Sequence, residues 1–176
     1  LWLDELNERR KNETKREMEF ADESIQKKGL APGVSPGSIV VYHPDFQEGI
    51  VGIVAGRLKE TYQCPAVVFA PAGNGLIKAS ARSMPGLDIK AALDSMADIM
   101  VNYGGHAMAA GLSVREENLP ALRRRLNEWA ARECPVLVTP PLECDLSIHL
   151  DRITVESVRR LDQLAPYGAE NPAPVF

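Results

Sequence analysis

Three short apolar runs limit what this chain can fold into. Ser38–His43 (Ser-Ile-Val-Val-Tyr-His), Ala66–Ala70 and Leu76–Arg82 are of strand length, and Pro or Gly stands at or near both ends of each. Such runs read as buried strands. Between the first two, Glu48–Glu60 places Ile50, Val51, Ile53, Val54 and Leu58 on one helical face, and Pro71–Gly75 forms a turn between the second and third. The order strand, helix, hairpin predicts an α/β fold with a mixed β-sheet flanked by helices. Gly49, Gly52 and Gly56 interrupt the helical stretch. Glycine costs about 1 kcal/mol against alanine in a helix, so three of them predict close approach to a neighbouring element or a ligand. Asp88 caps a further helix with Ile89, Ala92, Leu93, Met96, Ile99 and Met100 in register. Pro120–Arg132 is another, with Leu119, Leu122, Leu126 and Trp129 as its core stripe and Arg123, Arg124 and Arg125 on a solvated face.

The two ends of the chain differ from this middle. Asn7–Glu17 is polar on every side yet free of Gly and Pro, and apolar residues occur only toward its ends (Leu1, Trp2, Leu3, Leu6, then Met18, Phe20, Ile25). A helix of that kind suits a solvated connector held at both ends. Lys28-Gly29 and the Pro/Gly cluster up to Gly37 end it. Near the other end, Pro140-Pro141 reads as a linker, Leu142–Leu150 alternates like a strand, and Thr154 caps a helix carrying Val155, Val158, Leu161 and Leu164. The expected division is a connector helix over 1–30, an α/β domain over 31–136, and a linker with the start of a further, truncated domain over 137–176.

A net charge of −4 argues against a protein that coats nucleic acid through general basicity, so any such contact must be a local patch. No apolar run reaches the roughly 18 residues that a membrane span needs, and no signal-peptide pattern opens the chain, which predicts a cytoplasmic protein with no membrane partner. Cys64, Cys134 and Cys144 lack CxxC spacing and sit in apolar surroundings, favouring buried thiols over a disulfide or zinc framework. His43, His106 and His149 fall on separate elements, so no metal site is expected here.

Two segments carry chemistry. In Tyr103-Gly104-Gly105-His106-Ala107-Met108-Ala109-Ala110-Gly111, the paired glycines read as a loop feeding one or two helical turns, with His106 at the lip. There, free N–H groups would favour an anion. A tight turn with a structural histidine explains the same residues equally well. In Lys78-Ala79-Ser80-Ala81-Arg82-Ser83, two cations and a hydroxyl alternate along one strand, so Lys78, Ser80 and Arg82 share a face able to grip phosphate oxygens. Taken alone, that strand also fits an ordinary solvated sheet face.

Together, Glu48-Gly-Ile-Val-Gly-Ile-Val-Ala55, Lys78–Ser83 and Gly104-Gly-His-Ala-Met-Ala-Ala-Gly111 resemble the RecJ single-strand-specific exonucleases of the DHH superfamily, as do Pro166-Tyr-Gly168 and Asn171–Phe176. The resemblance implies a connector helix, a DHH-associated domain, and the truncated start of an oligonucleotide-binding barrel. It implies a bacterial 5′→3′ exonuclease of DNA repair and recombination acting on single-stranded DNA, with a helicase or single-strand-binding protein as further candidate partners. Lys78, Ser80, Arg82, Ser83, Gly104, Gly105 and His106 would bind the substrate phosphate. Mn or Mg would serve the whole enzyme, held by a DHH domain that this sequence lacks, so this piece alone is expected to bind no metal and to be inactive. Phe46-Gln47 and Ala79 depart from the family's usual Trp-His and Gly. The resemblance leaves two other possibilities: an oligonucleotide or cyclic-dinucleotide phosphodiesterase of the same superfamily, and a non-catalytic replication scaffold.

Overall fold

The computed structural model describes residues 2–27, 29, 37–133, 143–168 and 170–176. It divides into two compact units, Leu1–Val138 and Thr139–Phe176. The first contains helices α1 (Trp2–Gln26), α2 (Val51–Tyr62), α3 (Ile89–Asp94) and α4 (Leu119–Glu133), and strands β1 (Ile39–Tyr42), β2 (Ala66–Gly73), β3 (Leu76–Arg82), β4 (Met100–His106) and β5 (Ala109–Arg115). The strands form one sheet in the order β1-β2-β3-β5-β4. β1 runs parallel to β2 and every other pairing is antiparallel: a helix joins β1 to β2, tight turns join β2 to β3 and β4 to β5, and α3 lies in the connection from β3 to β4.

Alternation along the strands sends side chains to two separate cores. Val40, Val67, Phe69, Ile77, Ala79, Ala81, Ala110, Leu112 and Val114 pack beneath α3 and α4, whose stripe Leu119, Leu122, Leu126 and Trp129 is buried as expected. Ile39, Val41, Ala66, Val68 and Ala70 pack against Val51, Val54, Leu58 and Tyr62 of α2 and against Ala21 and Ile25 of α1. On that second face α2 packs on β2 and β3, while β5 and β4 make no comparable contact with any helix there. A stretch of sheet is thereby left open to a ligand.

Several elements differ from the sequence reading. Asp88 caps its helix as expected, accepting from the Ala91 N–H at 3.1 Å, but α3 ends at Asp94. The apolar stripe continues through buried Met96 into a 3₁₀ turn and then a strand, because Ile99 reaches the same core from the 3₁₀ turn and Met100 from the first residue of β4. The segment around the paired glycines is strand too. Gly104 and Gly105 lie in β4 opposite Gly111 and Ala110, and Ala107-Met108 makes the turn, so the expected loop-to-helix junction is absent. Pairing of all seven β5 residues with β3 overrides the local helix propensity of Ala107–Ala110.

The expected solvated connector is only half solvated. Residues 2–12 of α1 are exposed, whereas Thr14, Glu17, Ala21 and Ile25 are buried. Glu17 accepts from the Gln47 N–H at 2.8 Å, but its Oε2 is buried without a hydrogen-bond partner among the described residues. Burial holds its carboxyl above the usual range. The Gln47 N–H opposes that shift, the charge of Glu13 adds to it, and Arg16 opposes it. A carboxyl raised in this way stabilises the fold only while protonated, and that contribution is lost as pH rises through its folded-state value. Glu17→Gln keeps an acceptor for Gln47 without the charge. It is expected to raise the melting temperature at neutral pH, with the gap to wild type narrowing as pH falls toward about 4. Melting below wild type at neutral pH would contradict this account.

The second unit is small and largely exposed. Its helix α5 (Val155–Leu161) starts at a capping box in which Ser157 N–H donates to Thr154 Oγ1 at 3.0 Å and Thr154 N–H to Ser157 Oγ at 2.9 Å. Residues 143–149 form no strand, contrary to expectation; Asp145 N–H instead donates to the Val175 carbonyl at 2.8 Å. With no ladder partner among the described residues, the alternating pattern there has nothing to pair with. Val155 and Val158 are 70% and 53% exposed, and Cys144 is exposed rather than buried. Cys64 is buried, while Cys134 and the Pro140-Pro141 linker lie outside the described residues.

Candidate nucleic-acid interface

The open face of the sheet is organised in three rungs running across β3, β5 and β4. The register aligns Lys78 with Ser113 and Asn102, Ser80 with Gly111 and Gly104, and Arg82 with Ala109 and His106. The alternation that set Lys78, Ser80 and Arg82 on one face in the sequence therefore holds. It also brings His106 onto the Arg82 rung, two strands away, which is roughly 10 Å at ordinary strand spacing. Between them stands only Ala109, and the neighbouring rung is floored by two glycines.

Arg82 is the centre of this arrangement. Its Nη1 donates to Ser80 Oγ at 2.7 Å and to the Ala81 carbonyl at 2.9 Å, and no carboxylate among the described residues pairs with it. α2 passes directly over the pair. A Cβ at Gly52 would come within 3.3 Å of both Arg82 Nη2 and Ser80 Oγ, so this glycine admits the guanidinium beneath the helix. Gly49 and Gly56 have no such neighbour. A half-buried cation held in place by a hydroxyl, with no counterion among the described residues, is a site for an anion.

His106 is exposed, and its Nδ1 accepts from the Met108 N–H at 3.3 Å. In the neutral ring that bond puts the proton on Nε2, available to donate to a ligand. Tyr103 points to the opposite face, against the α3–α4 core, with the Lys90 ammonium 5.1 Å from its ring centre. A hydrogen bond with Asp94 raises the Tyr103 phenol above its usual range.

Other expected site residues do different work. Ser83 is fully buried, its hydroxyl donating to the Leu87 carbonyl at 2.7 Å, and so it shapes the turn after β3 instead of meeting a ligand. Lys78 is engaged by Glu48 at 2.9 Å, which cancels its charge at the rim. The paired glycines separate in role. Gly105 has φ +152, and a Cβ there would lie 2.4 Å from the Ala109 carbonyl oxygen, so backbone packing alone excludes a side chain. At Gly104 and at Gly111 opposite it a Cβ would touch nothing within 4 Å; their bareness clears the groove.

Asn102, Ser113, Gly111 and Glu48 complete the open face and were missed in the sequence reading. Counting back by two from Gly104 would have found Asn102, had this stretch been read as a strand. Phe46 is buried in the α2 core, Gln47 donates to Glu17 and Glu13, and the Ala79 side chain lies in the α3–α4 core, so these departures from the family pattern are set by packing on α1 and on the other face of the sheet. Among the described residues no three His, Cys, Asp or Glu side chains come together, so the donor set does not fit a metal pair. No described helix is long and apolar enough to cross a membrane.

A mixed sheet that opens an arginine, a histidine and bare glycines beside a covering helix defines an α/β module with an open, cation-bearing sheet face. The chain belongs to the DHHA1 domain family, which matches residues 36–132, and residues 144–176 match the RecJ OB domain. The chain is 34% identical to the single-stranded-DNA-specific exonuclease RecJ of Salmonella typhimurium over 99% of its length, and 36% identical to that of Bacillus subtilis over 98%. It spans 31% and 22% of those two proteins. Among solved structures it resembles RecJ from Thermus thermophilus in complex with Mn2+ at a TM-score of 0.75 and 30% identity, covering 99% of this chain and 25% of that one. The same protein in complex with Mg2+ gives a TM-score of 0.71 over 99% of this chain and 26% of that one.

Proposed function

We propose that this chain is the substrate-binding part of a cytoplasmic single-stranded-DNA exonuclease that digests 5′→3′ in DNA repair and recombination. The carrying observation is Arg82, held by Ser80 with no carboxylate partner among the described residues, on one rung with His106 across a floor of small residues. Arg82 would supply two N–H donors and a fixed positive charge to one side of a phosphodiester, and His106 Nε2 a donor to the other. Both interactions strengthen as charge builds on the phosphate oxygens, so they orient the scissile bond and stabilise the transition state. Mn or Mg in a DHH domain of the whole enzyme would supply the activated water. The open strip, two strand spacings or roughly 10 Å wide, suits a single strand.

The test uses the 176-residue chain with end-labelled single-stranded DNA. Salt-sensitive binding that weakens in Arg82→Ala, together with no cleavage under Mn2+ or Mg2+, is the expected result. Wild-type DNA affinity in Arg82→Ala would refute the interface, and cleavage abolished by a mutation in this chain would show that the hydrolytic centre is here after all.

A further inference from the structure

We infer that the groove contains a second, uncharged subsite, formed by Asn102, Ser113 and the Glu48–Lys78 pair, which holds the nucleoside attached to the phosphate at Arg82; this rests on the phosphate reading above.

The cavity itself points there. A pocket of about 520 Å³ lies over the Lys78–Ser113–Asn102 and Ser80–Gly111–Gly104 rungs, and neither Arg82 nor His106 lines it. That volume is within the range of small-ligand sites. The charge pattern decides which end of a nucleotide each rung takes. Arg82 has no carboxylate partner among the described residues, whereas Lys78 is neutralised by Glu48 at 2.9 Å, and a phosphate placed at that end would face the Glu48 carboxylate. A phosphate therefore belongs on the Arg82 rung and an uncharged group on the Lys78 rung.

The polar groups at the neutral end suit a sugar or base edge. Asn102 offers a carbonyl and two N–H donors, Ser113 a hydroxyl whose bond to the Asn102 backbone carbonyl is long at 3.4 Å, and Glu48 a further acceptor. Between the two ends, Gly111 and Gly104 leave a flat stretch where a Cβ would meet nothing within 4 Å. A ring can lie on it against Val51, which lines the same pocket. Arg82 and Lys78 are four residues apart along β3, roughly 13 Å. One nucleotide with a hydrogen-bond length at each end fills that distance.

The test titrates the 176-residue chain, by NMR chemical shift, with inorganic phosphate, 2′-deoxyadenosine and 2′-deoxyadenosine 5′-monophosphate. Wild type is expected to bind the nucleotide at least about 10-fold more tightly than phosphate, the scale of two hydrogen bonds. Asn102→Ala/Ser113→Ala should erase that preference and leave phosphate affinity unchanged; Asn102→Ala alone, at an exposed position, should erase part of it. Arg82→Ala should weaken phosphate and nucleotide together. Unchanged nucleotide affinity in both Asn102 variants, with Arg82→Ala still losing phosphate, overturns the subsite and leaves the clamp standing. Lost preference in the double variant, with Arg82→Ala binding phosphate as wild type does, keeps the subsite and overturns the clamp.

Discussion

Arg82→Ala and His106→Ala, each placed in the full-length exonuclease proposed here, are expected to lower single-strand digestion about 30- to 1000-fold. Removing a donor that stabilises transition-state charge costs on the order of 2 to 4 kcal/mol, which converts to that range. Neither change should unfold the protein. His106 is exposed, and among the described residues Arg82 bonds only Ser80 and the Ala81 carbonyl, at the open edge of the α2 core. Because both side chains act on one phosphate from the same rung, the double variant should lose less than the product of the single losses: once the first is gone, the phosphate is already misplaced. Arg124→Ala is the control, since the Arg124 side chain is 70% exposed and its ion-pair partner is Glu128 at 3.8 Å, one turn along the same helix. Digestion rates and melting temperatures for all four variants decide the matter. Wild-type rates in either groove variant, or a loss explained wholly by unfolding, would falsify the assignment.

What was legible in the sequence was what periodicity and capping can encode. β1, α2, β2, β3 and α4 stand where the apolar runs put them, within a few residues at their ends, and Asp88 and Thr154 both cap as expected. The errors share one cause, which is that long-range pairing decides between conformations the local sequence allows equally. Ala107–Ala110 favours helix by propensity, but β3 needs an antiparallel neighbour and β5 supplies it over seven residues. The stripe from Ile89 to Met100 fits a helical face, yet its last members reach the same core through a turn and a strand. On α1, Thr14 and Glu17 look like solvated residues and are buried, and the 43–50 loop reaches Glu17, with the Gln47 N–H donating to it. For the site, alternation placed Lys78, Ser80 and Arg82 on one face, but a one-dimensional pattern cannot show that Glu48 neutralises Lys78 or that Ser83 turns inward. His106 was found by its company, and Asn102 and Ser113 were missed because their membership depends on a register that only the folded sheet defines.

The paired glycines carry the largest expected effect on stability. At Gly105, alanine would set its methyl 2.4 Å from the Ala109 carbonyl oxygen and 2.5 Å from the Ala110 Cα, atoms of the facing strand that cannot swing away, at a φ of +152 that side chains rarely adopt. A strained backbone conformation and an overpacked contact each cost roughly 1 to 3 kcal/mol, so Gly105→Ala is expected to destabilise by about 2 to 6 kcal/mol, lowering the melting temperature by roughly 5 to 20 °C. Gly104→Ala is one residue away and should behave differently. Its Cβ would meet nothing within 4 Å, as would that of Gly111→Ala directly opposite, so both variants should melt within about 0.5 kcal/mol of wild type. Their methyl groups instead project into the groove between Ser80 and His106, and single-stranded DNA affinity should fall while the fold is kept. Thermal melts beside a DNA titration for the three variants separate a glycine required by the chain from glycines kept bare for a ligand. If Gly104→Ala proves as unstable as Gly105→Ala, or if Gly104→Ala and Gly111→Ala bind DNA as tightly as wild type, the open face is not the DNA-binding surface and the whole glycine run serves only the tight β4–β5 hairpin.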